Sequence, residues 1–201
     1  MTPRERAKRG EGDRLRHEIV EAGQRLLFET GDEEAVTIRA VAKAVGVSPP
    51  SIYLHFADKD ALLFAVCMDT FDALDEFIEK AAAGVEDLGE ELQARGKAYV
   101  RFGLGNPEQY RILFMTRPVG LAPGEEIPAP AAFDHHVQAV QRASEAGLLV
   151  EGMDTELAAI TLWAGVHGIT SLLIAKPTFP WPDIDGLIDA VVATVYRGLS
   201  R

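Results

Sequence analysis

The chain has 201 residues, 47% of them hydrophobic and 25% charged, which supplies apolar material for a packed core and excludes both a stapled mini-protein and a wholly disordered chain. A single cysteine, Cys67, excludes an internal disulfide; the charged start MTPRERAKRG lacks the apolar stretch of a secretory signal, which points to the cytoplasm. The net charge of −11, taken whole, speaks against a nucleic-acid binder.

The distribution of charge reverses that reading. Residues 1–60 hold 10 Lys/Arg against 11 Asp/Glu, whereas residues 61–201 hold 10 against 20. Within the first sixteen residues, Arg4, Arg6, Lys8, Arg9, Arg14 and Arg16 face only Glu5, Glu11 and Asp13. A DNA-binding end carried by an acidic body fits this asymmetry. Residues 1–12 form a basic arm whose arginines either enter a minor groove or remain a disordered tail.

Taken in chain order, helix-period patterns with stop signals recur and no strand-like alternation stands out, so the expected class is all-α. Residues 13–30 place Leu15, Ile19, Ala22, Leu26 and Leu27 on one face before a stop at Gly31. Thr37 is a good N-cap for a two-turn helix over 38–45, closed by Gly46. Ser48 reads as a cap, with Pro49 and Pro50 at the first helical positions, for a short third helix through Ile52 to about His55. Asp58 caps a long helix from Lys59 to about Ala83. Further helices are expected over 85–103, 106–115, 131–146, 155–175 and 183–199, with a proline- and glycine-rich loop over 116–130. The apolar segment 157–175 is interrupted by Thr161, His167, Thr170 and two glycines, and reads as a buried helix with no membrane partner. The expected organisation is the arm, a helix-turn-helix domain over 13–60 and a larger helical domain over 61–201, with about nine helices in all.

Two short helices joined by a tight turn at Gly46, with Val41, Val45, Val47, Ile52 and Phe56 available to pack, match the helix-turn-helix pattern. The outward face then carries Ser48, Pro49, Ser51, Tyr53 and His55, groups able to meet base edges and phosphates. The string TIRAVAKAVGVSPPSIYLHFADKDALL resembles the DNA-binding segment of the TetR family of bacterial transcriptional regulators, through Thr37, Ala42, Gly46, Val47, Ser48, Ile52, Tyr53, His55, Phe56, Lys59 and Leu62. It departs from the family at Pro50, where glycine is frequent. The resemblance implies that Thr37 binds phosphate through its backbone N–H and hydroxyl, that Arg39 reaches a guanine edge, that Ser48, Pro49 and Ser51 meet the major groove, and that Tyr53, His55 and Lys59 hold phosphates. For Arg39 and Lys59 the alternative is a surface charge in solvent or in an ion pair.

One such head makes few base contacts, so two copies on a palindromic operator are expected. Residues 155–175 and 183–199, the most apolar segments, are the expected homodimer contact, in a four-helix arrangement. LWAGVHG, residues 162–168, resembles the Trp-x-x-x-His-Gly feature of TetR-type C-terminal domains, and NPEQYRILF, residues 106–114, resembles the sixth helix of the family. The resemblance implies a small, partly apolar effector, unidentified, among Phe64, Met68, Phe71, Tyr99, Phe102, Phe114, Met115, Trp163 and His167; plain core packing is the alternative for each. Adjacent His135 and His136 diverge by about 100° on a helix, so neither they, Asp134 nor His167 is read as a metal ligand, and no cofactor is expected. Cys67 is read as buried and inert. With no phosphate loop, H-E-x-x-H or nucleophile elbow, no enzyme is expected. The reading is a repressor released from its operator by a small molecule, with an effector-insensitive regulator as the alternative.

Overall fold

The computed structural model describes residues 11–115 and 131–201. The basic arm through residue 10 and the expected loop over 116–130 lie outside the described residues. Among the described residues the chain is helical: α1 (Glu11–Thr30), a short 3-10 turn (Glu33–Ala35), α2 (Ile38–Val45), α3 (Pro49–Ile52), α4 (Lys59–Ala82), α5 (Leu88–Gly105), α6 (Pro107–Met115), α7 (Ala131–Glu145), α8 (Thr155–Ala175) and α9 (Ile184–Leu199). One isolated antiparallel bridge joins Leu149 and Ser200.

The described residues form two compact units, 11–70 with 111–115, and 71–110 with 131–201. Both α4 and α6 run from one unit into the other. The first unit is built around Ile19, Ala22 and Leu27 of α1, Val41 of α2, Ile52 of α3 and Leu62, Leu63 and Val66 of α4, all essentially inaccessible. Ile112 of α6 joins the same cluster. Gly23 lets α1 lie close on α4, since a Cβ there would stand 3.0 Å from Val66.

The second unit packs α5 against α7, α8 and α9. Its core includes Leu92, Val140, Ala143, Leu149, Ala158, Ala159 and Leu199. Gly165 brings α8 onto α9, because a Cβ at that position would stand 2.6 Å from the Val195 side chain. One buried charge is resolved internally. The Arg95 guanidinium takes Glu79 in a fork at 2.6 and 3.1 Å and Glu91 at 2.9 Å, while Arg142 adds a 2.6 Å bond to Glu91. Burial opposes the Arg95 charge, and the bonds to the two carboxylates more than offset it.

Two readings of the sequence need correction. The third helix starts at Pro49 as expected but ends at Ile52 instead of continuing to about His55: proline fixes the first-turn dihedrals, and Tyr53–His55 form a closing turn in which the His55 and Phe56 N–H groups both donate to the Ile52 carbonyl. Residues 155–175 are buried on one side only. Leu157, Ile160 and Leu172 of α8 are 59%, 42% and 51% exposed, although the helix is long and apolar enough by length and composition to cross a membrane.

Candidate functional site

In the first unit the turn between α2 and α3 is set by local chemistry. The Thr37 hydroxyl accepts from the Ala40 N–H at 3.1 Å and caps α2. Gly46 closes the helix in the left-handed region, at φ 79°, and the N–H groups of Gly46 and Val47 both donate to the Ala42 carbonyl at 2.9 Å; a side chain there would be strained. Ile52 on one side of α3 is wholly buried, and Phe56 nearly so. The opposite side is therefore obliged to face outward. Ser48 and Tyr53 are exposed, and Pro49, Ser51 and His55 are half-buried.

Three expectations about individual residues change. The Thr37 backbone N–H donates to the Ala35 carbonyl at 3.0 Å, so of the two groups expected to bind phosphate only the hydroxyl retains a proton to offer. Ser48 is the N-cap of α3 by position, but its hydroxyl makes no capping bond and lies 2.9 Å from the Ser51 hydroxyl. The reason is the proline pair: Pro49 and Pro50 have no N–H, and the Ser51 N–H already donates to the Ser48 carbonyl. Lys59 is half-buried and 3.2 Å from Glu34, so any phosphate must compete with that carboxylate. Arg39 is exposed, with no carboxylate partner among the described residues. Leu54, 83% exposed beside Tyr53, is the surface residue that sequence reasoning passed over; an apolar side chain between Tyr53 and His55 carried no helix-face signal.

In the second unit, polar side chains from α5, α6 and α8 meet. The Tyr110 hydroxyl is 2.7 Å from His167 Nδ1, and the Tyr99 hydroxyl is 3.0 Å from the same nitrogen. The Trp163 indole N–H donates to the Tyr99 oxygen at 3.2 Å, and Ser171 lies 3.4 Å from both Tyr110 and His167 Nε2. Phe133 stands edge-on to Trp163 with centroids 5.9 Å apart, and Tyr110 stacks on His167 at 5.6 Å. Burial pulls the His167 imidazole below its ordinary value and pushes the Tyr99 and Tyr110 phenols above theirs, so all three are uncharged near neutral pH. Gly103 makes room for this arrangement: a Cβ there would overlap the Thr170 methyl and stand 2.9 Å from the Tyr110 ring.

Of the nine expected lining residues, Tyr99, Trp163 and His167 meet in this cluster. Phe102 belongs to the same unit and stands edge-on to Phe77, 5.8 Å away; Phe71 also lies in that unit. Phe64, Met68 and Phe114 belong to the first unit. Met115 ends α6, and its side chain lies outside the described ones. Sequence reasoning missed Tyr110 and Ser171 as partners. The available signal was the Trp163, His167, Ser171 run at intervals of four, which shares one helical face.

The adjacent histidines have separate roles. His135 Nδ1 is 2.9 to 3.0 Å from the Asp75 carboxylate on α4, while His136 Nε2 donates to the Ala159 carbonyl on α8 at 2.9 Å. Cys67 is largely desolvated and its thiol is pushed up to about 11, first by burial and then by Glu33.

Two families match the chain. Residues 19–66 match "Bacterial regulatory proteins, tetR family", and residues 92–195 match "Tetracyclin repressor-like, C-terminal domain". A regulator from Mycolicibacterium smegmatis, the HTH-type transcriptional regulator EthR, is 31% identical over 104 residues, which is 51% of this chain and 44% of that protein. The match thus spans less than half of this curated relative. Among solved structures, a protein of unknown function from Rhodococcus sp. RHA1 superposes with a TM-score of 0.76 at 24% identity over 100% of both chains. A TetR family transcription regulator from Marinobacter aquaeolei VT8 gives 0.71 at 21% identity, over 96% of this chain and 99% of that one. At these identities the structural likeness concerns the fold.

Proposed function

Because the chain belongs to the TetR family of bacterial transcriptional regulators, we propose that it is a homodimeric, operator-binding repressor whose second unit answers to a small molecule. The observation that carries the DNA-binding half is the mounting of α3. Ile52 anchors it in the core of the first unit while Tyr53 on the other side is 56% exposed. A rigid helix with short hydrogen-bonding groups, Ser48 and Ser51, at its start suits entry into a major groove. Pro49 adds apolar contact beside them. Tyr53, His55, Lys59 and the Thr37 hydroxyl supply donors for phosphates, and Arg39 supplies a fork for a guanine edge.

Dimerisation through α8 and α9 is supported by the outward row of Leu157, Ile160, Ala164 and Leu172, which spans four turns of α8. Two heads then meet half-sites about 34–36 Å apart on a palindrome. An effector held by the second unit favours a head spacing that no longer matches, and DNA is released. Tyr99, Trp163 and His167, brought together with Tyr110, support that unit as the sensing one. An effector-insensitive regulator finds support in the same place, since Tyr110 is wholly buried and the network also serves as a core.

The test is retention of sheared genomic DNA by the purified protein, followed by sequencing of the retained fragments. A shared palindrome is expected. Sequence-independent retention overturns the specific-regulator reading. On the retained site, Tyr53→Phe should weaken binding across all sequences alike, whereas Arg39→Ala and Ser51→Ala should change base preference. Relaxed specificity from Tyr53→Phe, at unchanged general affinity, would reverse the assigned roles.

A further inference from the structure

In the second unit α4 and α7 bring two carboxylates and an imidazole to one place. Asp75 and Glu79 are four residues apart on α4 and so share a face, and His135 reaches them from α7. One donor atom from each of the three lies within 4.8 Å of the other two. Within the sequence His135 has no fellow ligand, because its neighbour His136 diverges by about 100° on the helix. That divergence is what makes the arrangement: His136 bonds the Ala159 carbonyl of α8 at 2.9 Å, which turns His135 toward α4.

The contacts inside the group suit a point charge better than a proton. His135 Nδ1 lies 3.0 and 2.9 Å from the two oxygens of Asp75, and one N–H cannot serve two acceptors at full strength. The same nitrogen is 3.8 Å from Glu79 Oε1. Two ligands each about 2.1 Å from one ion stand about 3.0 Å apart at a right angle and about 3.8 Å apart at about 130°, so an ion seated among the three groups needs little movement of them. Glu79 is held in place by Arg95, whose guanidinium bonds both of its oxygens and also Glu91. A carboxylate oxygen has a second lone pair, and a metal-bound carboxylate is ordinarily anchored by such a bond. The side chains of Glu79 and His135 are 41% and 42% exposed and that of Asp75 is 14% exposed, so water reaches the group to complete a coordination shell.

We propose that Asp75, Glu79 and His135 form a binding site for a divalent first-row transition ion such as Zn²⁺, which clips α7 to α4 within the second unit. His135 binds through Nδ1 and keeps its proton on Nε2, and Asp75 and Glu79 give one oxygen each. The imidazole decides the class of ion: a nitrogen donor suits zinc and its neighbours in the first row, whereas Mg²⁺ and Ca²⁺ take oxygen ligands. Nothing in this site depends on the DNA-binding reading of the first unit.

The full-length protein, untagged and stripped with EDTA that is then dialysed away, is titrated with Zn²⁺, Mg²⁺ and Ca²⁺ by calorimetry. Saturation at one Zn²⁺ per chain is expected, with Mg²⁺ and Ca²⁺ at least about tenfold weaker. Asp75→Asn and His135→Gln should each weaken Zn²⁺ by at least about tenfold. Glu79 is left unchanged because its loss would also take a carboxylate from the buried Arg95. Metal-free melts establish that both variants are folded, and Zn²⁺ should raise the Tm of the parent more than that of either variant, since an ion that binds the folded chain stabilises it. His17→Gln is the control: His17 lies 3.3 Å from a single carboxylate, Glu21, on α1, and its replacement should leave Zn²⁺ binding unchanged. Zn²⁺ uptake that survives both Asp75→Asn and His135→Gln, or that disappears with His17→Gln, overturns the site. Absence of saturable uptake does the same and reduces the three groups to a hydrogen-bonded contact between helices. Mg²⁺ or Ca²⁺ binding as tightly as Zn²⁺ overturns the assignment of the imidazole as a ligand.

Discussion

Gly103 offers the sharpest test of how the polar cluster is held together. In Gly103→Ala the new methyl would stand 2.9 Å from the Tyr110 ring and collide with the Thr170 methyl, where ordinary contact is 3.4–4 Å. Neither neighbour has room to give, since Tyr110 and Thr170 are both wholly buried. Overpacking of this kind costs about 1–3 kcal/mol, and alanine returns about 1 kcal/mol in helix propensity. A net loss of about 1 kcal/mol follows, or a Tm lower by about 2–4 °C for a domain of this size. The strain should also draw Tyr110 away from His167 and change the Trp163 signal. Thr170→Ser in the same chain removes the clashing methyl but keeps the 2.6 Å bond from the hydroxyl to the Val166 carbonyl, and should restore part of the Tm. Thermal melts and fluorescence of the parent and the two variants decide. A Gly103→Ala protein as stable as the parent, with unchanged fluorescence, refutes the close-approach argument.

Leu172→Glu, placed on the outward row of α8, should leave the monomer fold intact and shift sedimentation from dimer to monomer at micromolar concentration; an unchanged dimer would move the interface elsewhere. Burial holds His136 and His167 below the ordinary imidazole value, so the folded chain binds these protons less readily than the unfolded chain. The stability this confers is fully present above about pH 6.5 and is lost as pH falls through the folded values. Tm measured down to pH 5 should fall, and His136→Asn should flatten part of the slope; an unaltered profile would remove His136 from the account. At more acid pH, below about 4.3, protonation of Glu79, held low first by its hydrogen bonds from Arg95, should add a second loss that Glu79→Gln abolishes. With its thiol pushed up to about 11, Cys67 should react with iodoacetamide at pH 7.5 far more slowly in the folded protein than in urea, and equal rates would contradict its burial.

The first unit was the more legible of the two because its signals are local. Thr37, Gly46 and Asp58 act through backbone groups within four residues, and each forms the cap that its residue type implies. The alternation of Val41, Ile52 and Phe56 with polar neighbours told which side of the short helices faces inward. Ser48 misled because a cap needs an N–H to receive, and two prolines removed it. The Thr37 N–H misled because its acceptor, Ala35, sits in a 3-10 turn with no sequence signature of its own. In the second unit, aromatic residues at helical spacing did not say which would be neighbours. Tyr99 and Trp163 are far apart in sequence, and Tyr110 resembled any other core aromatic.

Composition and short-range spacing determined that the chain is helical and where most of its described helices stop, since hydrogen-bond caps and a 3.6-residue period act within a few positions of one another, and the likeness of residues 37–63 to the family's DNA-binding segment determined that its helix-turn-helix is of TetR type. Only the tertiary structure decided that Tyr99, Tyr110, Trp163 and His167 share one network, that Arg95 is neutralised by Glu79 and Glu91, and that α8 buries one face while offering the other. Those outcomes depend on which helices come to lie side by side, and contacts between helices separated by tens of residues arise from how whole surfaces fit together.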